Sequence, residues 1–250
     1  MTRRNAKPPP PPAAIIWDLD DTLIADDIVS ESTWQHVCRA HARELPDTDA
    51  VLREILAVRA WYWADAERHR TGRNNLLAAR HWIVETALAN LSLKDRSLAT
   101  AIADSFTQTK NRMLYLLPGA TEVLDLLQTH GIPMVLVTNG SADRQWEKIN
   151  RFSLAGYFDA IFVEGDSGFG KPDQRVYKLA QQALDRPPES IWSIGDNADW
   201  DVVGPMRQGM IGIWHDWRQQ GWSRNAPEPH ASIHGLIELR SLLRASTAIA

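Results

Sequence analysis

Five short apolar runs recur along the chain, and most of them are followed by a segment with helical spacing. The runs are Ala14–Trp17, Met134–Thr138, Ala160–Val163, Ile191–Ile194 and Met210–Trp214. Strands that are apolar at almost every position are typical of a sheet with both faces covered, and strand–helix repeats favour parallel pairing. With right-handed crossovers, this pattern predicts an α/β fold, a doubly wound (Rossmann-like) parallel sheet of about five strands.

Residues 28–116 follow a different pattern, without a convincing strand and with apolar residues three and four positions apart. Asp47 and Asn74 are plausible helix starts, and Pro118-Gly119 is typical of a helix stop. This segment predicts a helical bundle between the first strand and the rest of the sheet. The expected organisation is a disordered Pro-rich leader at 1–13, an α/β core domain at 14–27 and 117–250, and an inserted α-helical cap domain at 28–116.

Composition and charge argue against several classes of partner. The 250 residues carry a net charge of −4, without the basic excess typical of nucleic-acid binders. No apolar run reaches the roughly 18 residues of a membrane span, and the basic N-terminus lacks the apolar stretch of a secretory signal. The single cysteine, Cys38, cannot form an intrachain disulfide and fits a reducing compartment. We therefore expect a cytoplasmic protein without nucleic-acid or membrane partners, and its state, monomer or homodimer, stays open.

Polar residues follow the first two predicted strands directly. Side chains two positions apart on an extended chain point to the same side, so Asp18 and Asp20 are predicted to face one point beyond the first strand. The second strand ends in Thr138, and Asn139 and Gly140 follow. A hydroxyl, an amide and a permissive glycine suit phosphate oxygens. Both segments also have an ordinary structural explanation, since such residues are common in turns.

The later strands add a lysine and an acidic cluster. Lys171 lies between Gly170 and Pro172, which restrict its position, and an ammonium held in place can neutralise a phosphate and a carboxylate. Asp196 and Asp201 belong to an acidic cluster after the fourth strand, where like charges converge unfavourably unless a metal cation or a lysine compensates. This cluster favours a metal site. A loop lysine and an acidic helix N-terminus are the structural alternatives.

All four segments lie at the carboxyl ends of predicted strands or in the loop where those strands converge, which is where doubly wound folds bind ligands. In chain order, Asp18-Leu19-Asp20-Asp21-Thr22, Thr138-Asn139-Gly140, Lys171-Pro172 and Gly195-Asp196…Asp201 resemble the four motifs of the haloacid dehalogenase (HAD) superfamily. The resemblance spans residues 15–214 and includes a helical cap in the expected place. Residues 117–120 and 157–159 are similar to the N-acylneuraminate-9-phosphatase-like and nucleotidase-like branch.

The resemblance implies a Mg²⁺-dependent phosphatase acting on a small phosphorylated metabolite, such as a sugar phosphate or a nucleotide. Asp18 would attack phosphorus and form an aspartyl-phosphate. Asp20 would protonate the leaving oxygen and then deprotonate the water that hydrolyses the intermediate.

The resemblance also implies binding roles for the remaining motif residues. The phosphoryl group would be bound by Thr138, Asn139 and Lys171, and Lys171 would also hold Asp18. Mg²⁺ would be held by Asp18, the backbone carbonyl of Asp20, and Asp196. Asp201 would support these ligands or bind the metal indirectly.

The presence of both Asp20 and Asp196 distinguishes between the activities that proteins of this superfamily carry out on the same α/β core. A haloacid dehalogenase needs the aspartate nucleophile, but neither an acid two residues later nor a metal, so this pair favours phosphoryl chemistry. A phosphotransferase or mutase stays open. A non-catalytic binding protein is a third alternative, but it has no physical need to keep Asp18, Asp20, Lys171 and Asp196.

The sequence departs from the family pattern at two places and carries two aromatic segments. Trp17 precedes the nucleophile where related proteins usually carry Phe, and Gly204-Pro205 predicts a late or kinked helix after Asp201. Residues 214–222 are predicted either to shield the site or to pack against the C-terminal region. Residues 236–243 are predicted to form a helix that closes the fold. Cap candidates for contacting an anionic substrate are Trp61, Tyr62, Trp63, Arg68, His69, Arg70 and Arg73. Core packing and a solvated charged face are the alternatives for them.

Overall fold

The computed structural model describes residues 8–222 and 225–246. Among these residues, six parallel strands form one sheet in the order β3-β2-β1-β4-β5-β6. They are β1 (Ala14–Trp17), β2 (Met134–Thr138), β3 (Ala160–Val163), β4 (Ile191–Gly195), β5 (Ile211–His215) and β6 (Ala231–Ile233). The predicted fold class is confirmed, with one strand more than predicted. The sequence pattern misses β6 because its three residues form no apolar run.

The first strand lies at the centre of the sheet, between β2 and β4. Ile15 pairs with Met134 on one side and with Trp192 on the other. The strand order reverses here, since β2 and β3 extend to one side and β4, β5 and β6 to the other. Ligands of doubly wound sheets bind at the carboxyl ends of the strands at such a switch point. The ends of β1 and β2 and the segment after β4 therefore place Asp18, Thr138 and Asp196 at one edge of the sheet.

By its contacts, the chain divides into two compact units, Met1–Ile24 with Leu116–Ala250, and Ala25–Tyr115. The second unit contains five helices, α1 (Ser30–Ala40), α2 (Thr48–Ala64), α3 (Ala66–Asn74), α4 (Leu76–Asn90) and α5 (Arg96–Met113). Side chains cap four of these helices by accepting a hydrogen bond from a backbone N–H group, namely Asp47, Asp65, Asn75 and Asp95. The core of this unit includes Trp34, which stacks on Phe106 with ring centroids 3.6 Å apart.

Two predicted helix boundaries in this region are wrong. Asn74 is the last residue of α3, and the next residue, Asn75, caps α4. Either asparagine satisfies the N-cap preference, so the composition does not distinguish them. The helix α5 ends at Met113, several residues before Pro118-Gly119, and Gly119 instead precedes the next helix with a φ of 87°.

The α/β unit contains the helices α6 (Ala120–Thr129), α7 (Ala142–Arg151), α8 (Glu164–Ser167), α9 (Gln174–Leu184), α10 (Gly204–Met206) and α11 (Leu236–Ala245). The predicted helix between β4 and β5 is divided, because a π-helical turn at Ala198–Val203 precedes α10. Pro205 lies in the first turn of α10, where a missing backbone N–H is tolerated. The interruption of this helix, which Gly204-Pro205 predicted, therefore occurs after Asp201.

The Pro-rich leader is ordered where the structure describes it, which corrects the prediction of disorder through residue 13. Pro9 and Pro12 are buried, and the indole N–H of Trp192 donates to the carbonyl of Pro10 at 2.9 Å. Prolines lack a donor, but their carbonyls still accept hydrogen bonds and their rings pack. Residues 1–7 of the predicted leader lie outside the described residues.

None of the helices within residues 8–222 and 225–246 combines the length and the apolar character that crossing a membrane requires.

Candidate active site

A buried lysine joins two of the predicted acidic residues at the carboxyl edge of the sheet. The ammonium Nζ of Lys171 lies 2.6 Å from Oδ1 of Asp18 and 2.7 Å from Oδ1 of Asp201. All three residues are buried. Burial alone would lower the pKa of Lys171, but the charges of Asp18 and Asp201 outweigh it, so its pKa is raised. Lys171 therefore stays an ammonium and holds one oxygen of Asp18 in place.

The second oxygen of Asp18 is held by a residue that the site prediction missed. The hydroxyl of Thr22 donates to Oδ2 of Asp18 at 2.8 Å and accepts the backbone N–H of Asp196 at 3.1 Å. Thr22 thus connects the segment after β1 with the segment after β4. The available signal was a hydroxyl four residues after Asp18 in a polar turn. Both carboxylate oxygens of Asp18 are consequently oriented.

Three carboxylates meet beside this lysine. Oxygens of Asp18, Asp196 and Asp201 lie within 4.8 Å of one another. Burial, followed by repulsion from neighbouring carboxylates including Asp18 and Asp201, raises the pKa of Asp196 well above its usual range. Carboxylate oxygens are the ligands that hard divalent cations prefer, and a cation would relieve this repulsion. The donor set therefore fits a divalent metal.

Two residues of α7 hold the carboxylate of Asp20. This carboxylate pairs with Nζ of Lys148, at 2.7 Å and 2.9 Å, and accepts Nε2 of Gln145 at 3.0 Å. Within the described residues, the cluster of three carboxylates does not include Asp20. The strand β1 ends at Trp17, and Asp20 forms an isolated parallel bridge with Ile24 just before a turn at residues 21–23. The expectation that Asp18 and Asp20 face one point stays a prediction, and the observed contacts show which residues hold the Asp20 carboxylate.

Asn139 contacts Lys171 through both of its side-chain polar atoms. Its Nδ2 donates to the carbonyl of Lys171 at 2.7 Å, and its Oδ1 accepts the N–H of Lys171 at 2.8 Å. The amide of Asn139 therefore fixes the backbone that carries the buried ammonium. The next backbone N–H, of Gly140, is also engaged, since it donates to Glu164 at 2.9 Å. Phosphate binding by Thr138 and Lys171 stays a prediction. The side chain of Asn139 is already engaged in its two hydrogen bonds with the backbone of Lys171.

Asp201 is held from both sides. Its Oδ2 accepts the backbone N–H of Asn197 at 2.9 Å, while its Oδ1 binds Lys171. Its own carbonyl accepts the hydroxyl of Ser193 at 2.8 Å. Asp201 is therefore a second anionic partner of Lys171 beside Asp18, and its supporting role toward a metal stays a prediction.

Gly195 leaves room for this carboxylate, and a side chain there would not fit. A Cβ at Gly195 would overlap the carboxylate of Asp201. We expect Gly195→Ala to displace Asp201 from Lys171, to lower activity at least about tenfold and to lower the free energy of unfolding by about 1–3 kcal/mol. Phosphatase assays and urea unfolding measure both effects. Gly156→Ala is the matched control, because a Cβ at Gly156 meets nothing within 4 Å. Equal behaviour of the two variants would contradict the prediction.

The aromatic segment 214–222, which begins within β5, lies beside Asp196. The indole N–H of Trp214 donates to the backbone carbonyl of Asp196 at 2.8 Å, and that of Trp217 to its carboxylate at 3.4 Å. Arg218 stacks over Trp217, with its guanidinium carbon 3.9 Å from the ring centroid. These residues line a pocket that also includes His215. The segment also contacts the C-terminal region, since Trp222 donates to the carbonyl of Ala226 and His234 contacts the carbonyl of Asp216, so features of both predicted alternatives are observed.

The helical unit shows structural contacts for most of the predicted cap candidates. Tyr62 and Trp63 pack against the core of this unit. Trp61 is 54% exposed, and the guanidinium carbon of Arg68 lies 3.6 Å from its ring centroid. Arg70 pairs with Glu67 on the surface. A role of these side chains, or of His69 and Arg73, in substrate binding stays a prediction.

Comparisons with known proteins identify the family. The haloacid dehalogenase-like hydrolase family model matches residues 12–204. The chain belongs to this family. The predicted superfamily is thereby confirmed, and the four segments at the carboxyl edge of the sheet are those by which the chain resembles it.

Curated HAD relatives and solved HAD structures align along most of the chain. Phosphoserine phosphatase of Thermus thermophilus is 30% identical over 81% of this chain and 88% of its own length. Pyrimidine 5'-nucleotidase YjjG of Escherichia coli is 24% identical over 92% of this chain and 96% of its own length. The structure of the putative HAD-hydrolase YfnB from Bacillus subtilis superposes with a TM-score of 0.72 at 19% identity, covering 92% of this chain and 97% of that one.

Proposed function

We propose that this HAD hydrolase is a Mg²⁺-dependent phosphatase that cleaves a small phosphorylated metabolite through an aspartyl-phosphate on Asp18. The observation that carries the proposal is the contact of Lys171 with both Asp18 and Asp201, next to the half-buried Asp196. This arrangement combines an oriented carboxylate nucleophile with positive charge and metal-binding oxygens. Relatives named as a phosphoserine phosphatase and a pyrimidine 5'-nucleotidase support a phosphomonoester substrate.

The first chemical step transfers the phosphoryl group to Asp18. One carboxylate oxygen of Asp18 forms a bond to phosphorus while the bond from phosphorus to the leaving oxygen breaks. Lys171 and Thr22 fix the direction of the attacking carboxylate. Asp20 gives its proton to the leaving oxygen. The hydroxyl of Thr138 and the ammonium of Lys171 stabilise charge on the transferring group.

The second step returns Asp18 to its free form. Asp20, now a carboxylate, takes a proton from water as the water oxygen forms a bond to phosphorus. The bond between phosphorus and Asp18 breaks, and phosphate leaves. Asp18, Asp196 and the backbone carbonyl of Asp20 would hold Mg²⁺, with Asp201 behind them. When bound, Mg²⁺ neutralises charge on the phosphoryl oxygens.

The test is phosphate release from a panel of phosphomonoesters, including phosphoserine, pyrimidine nucleotides, sugar phosphates and p-nitrophenyl phosphate. We expect release with Mg²⁺ and at least about 100-fold slower release with EDTA, because the carboxylate cluster then has no divalent cation. Tracing the phosphate separates a phosphatase from a mutase, which returns it to a sugar. Release that is unchanged by EDTA would contradict the metal dependence, and no release from any ester would contradict the phosphatase.

Metal binding has a second readout that does not depend on turnover. A cation that binds only the folded state raises the melting temperature, and at 100 times its dissociation constant it adds about 2.7 kcal/mol. We expect the wild type to show this rise and Asp196→Asn to lose it. Asp185→Asn is the matched control, since Asp185 is exposed at the end of α9.

A further inference from the structure

Two buried polar side chains on α7 are directed at Asp20. Gln145 and Lys148 are only 2% and 5% exposed. They lie three positions apart, and thus on one face of the helix. Each contacts the carboxylate of Asp20, whose side chain is 30% exposed. No motif by which the chain resembles its family includes either of them.

The buried ammonium of Lys148 and the buried amide of Gln145 need hydrogen-bonding partners that replace the water they have lost. A lysine is almost never fully buried without a partner, because removing an ammonium from water is costly. Here Nζ of Lys148 lies within 2.9 Å of both oxygens of Asp20. Gln145 adds a link to the phosphate-binding side, since its Nε2 lies 2.5 Å from Oγ1 of Thr138. The same amide therefore contacts Asp20 and Thr138.

We propose that Lys148 and Gln145 are positioning residues for the acid–base chemistry of Asp20. The inference rests on the proposed phosphatase function. The two contacts of Lys148 and the contact of Gln145 hold the carboxyl group of Asp20 in one orientation, and neither residue transfers a proton itself. Gln145 sets the distance between Asp20 and the phosphoryl group held at Thr138.

This role makes the effect of a mutation depend on the leaving group. An alkoxide is a poor leaving group and needs a proton from Asp20, whereas p-nitrophenolate leaves readily without one. The ratio kcat/KM reports the first phosphoryl transfer for both kinds of ester. A loss of structure, or of phosphate binding, would lower kcat/KM for both esters alike.

The experiment compares Lys148→Met with the wild type on an alkyl phosphate and on p-nitrophenyl phosphate. We expect kcat/KM to fall about 100-fold for the alkyl ester, the usual contribution of a positioned acid, and less than about fivefold for the aryl ester. Gln145→Leu, which keeps Lys148, should show the same preference with a smaller loss. Lys148→Arg should restore most of the activity, since it keeps a cation beside Asp20.

The controls separate this role from the alternatives. Arg151→Met removes a cation from an exposed position of the same helix and should leave both esters unaffected. Adding Lys148→Met to Asp20→Asn should cause little further loss, because the group that it positions is already gone. Circular dichroism and melting curves confirm folding.

Equal losses on both esters, in both Lys148→Met and Gln145→Leu, would overturn the proposal. So would additive losses in the double variant. A wild-type protein that releases no phosphate from either ester would instead refute the phosphatase function on which the inference rests.

Discussion

Replacing Asp18 by asparagine is expected to abolish turnover, with kcat lowered by about 10,000-fold or more. An amide nitrogen cannot accept the hydrogen bond that Thr22 donates, and the neutral amide is a poor nucleophile toward phosphorus. No aspartyl-phosphate should then form. Phosphate release measures the rate, and mass spectrometry of acid-quenched protein measures the covalent intermediate, which only the wild type should show.

The same substitution should leave the fold intact. Lys171 keeps Asp201 as a partner when Asp18 becomes neutral, and one of three converging carboxylate charges is removed. We therefore expect a melting temperature in EDTA that is no lower than that of the wild type. Asp185→Asn provides the matched control at an exposed position with a left-handed φ of 49°, which asparagine tolerates. Substantial turnover by folded Asp18→Asn would eliminate Asp18 as the nucleophile.

Replacing Lys171 by methionine is expected to damage activity and stability together. Without the ammonium, the buried carboxylates of Asp18 and Asp201 lose their shared partner. Removing one member of a buried ion pair costs about 3–5 kcal/mol, so urea unfolding in EDTA should show a loss of that size. Activity should fall by about 100- to 1,000-fold, because charge on Asp18 and on the phosphoryl group is no longer neutralised.

Lys178→Met separates the local effect from a general loss of charge. Lys178 is exposed on α9, so its replacement should change the free energy of unfolding by less than about 0.5 kcal/mol and leave kcat unaffected. Mg²⁺ should recover part of the stability of Lys171→Met, since a cation among the carboxylates replaces some of the lost positive charge. A Lys171→Met variant as stable in EDTA as the wild type would show that these carboxylates do not depend on the lysine.

Much of the fold follows from local patterns in the sequence. The bounds of β1, β2 and β3 agree with the apolar runs, because a buried parallel strand is apolar at nearly every position and flanked by polar turns. The short β6 and the start of α4 are not predicted correctly, since three residues carry little periodicity and adjacent asparagines cap equally well. The ordered part of the leader depends on Trp192, which lies far along the chain.

The sequence by itself determined the parallel α/β fold, the family, and the chemical types gathered at the carboxyl edge of the sheet. Only the tertiary structure decided which side chains meet there. Asp20 contacts Lys148 across 128 residues, and Lys171 contacts Asp18 across 153. Residue spacing predicts backbone conformation over a few positions, whereas such pairs depend on the order of the strands and on the helix face that packs beside them. For that reason the place of Asp18 at this edge was predictable, but the contacts of Asp20 with Lys148 and Gln145 were not.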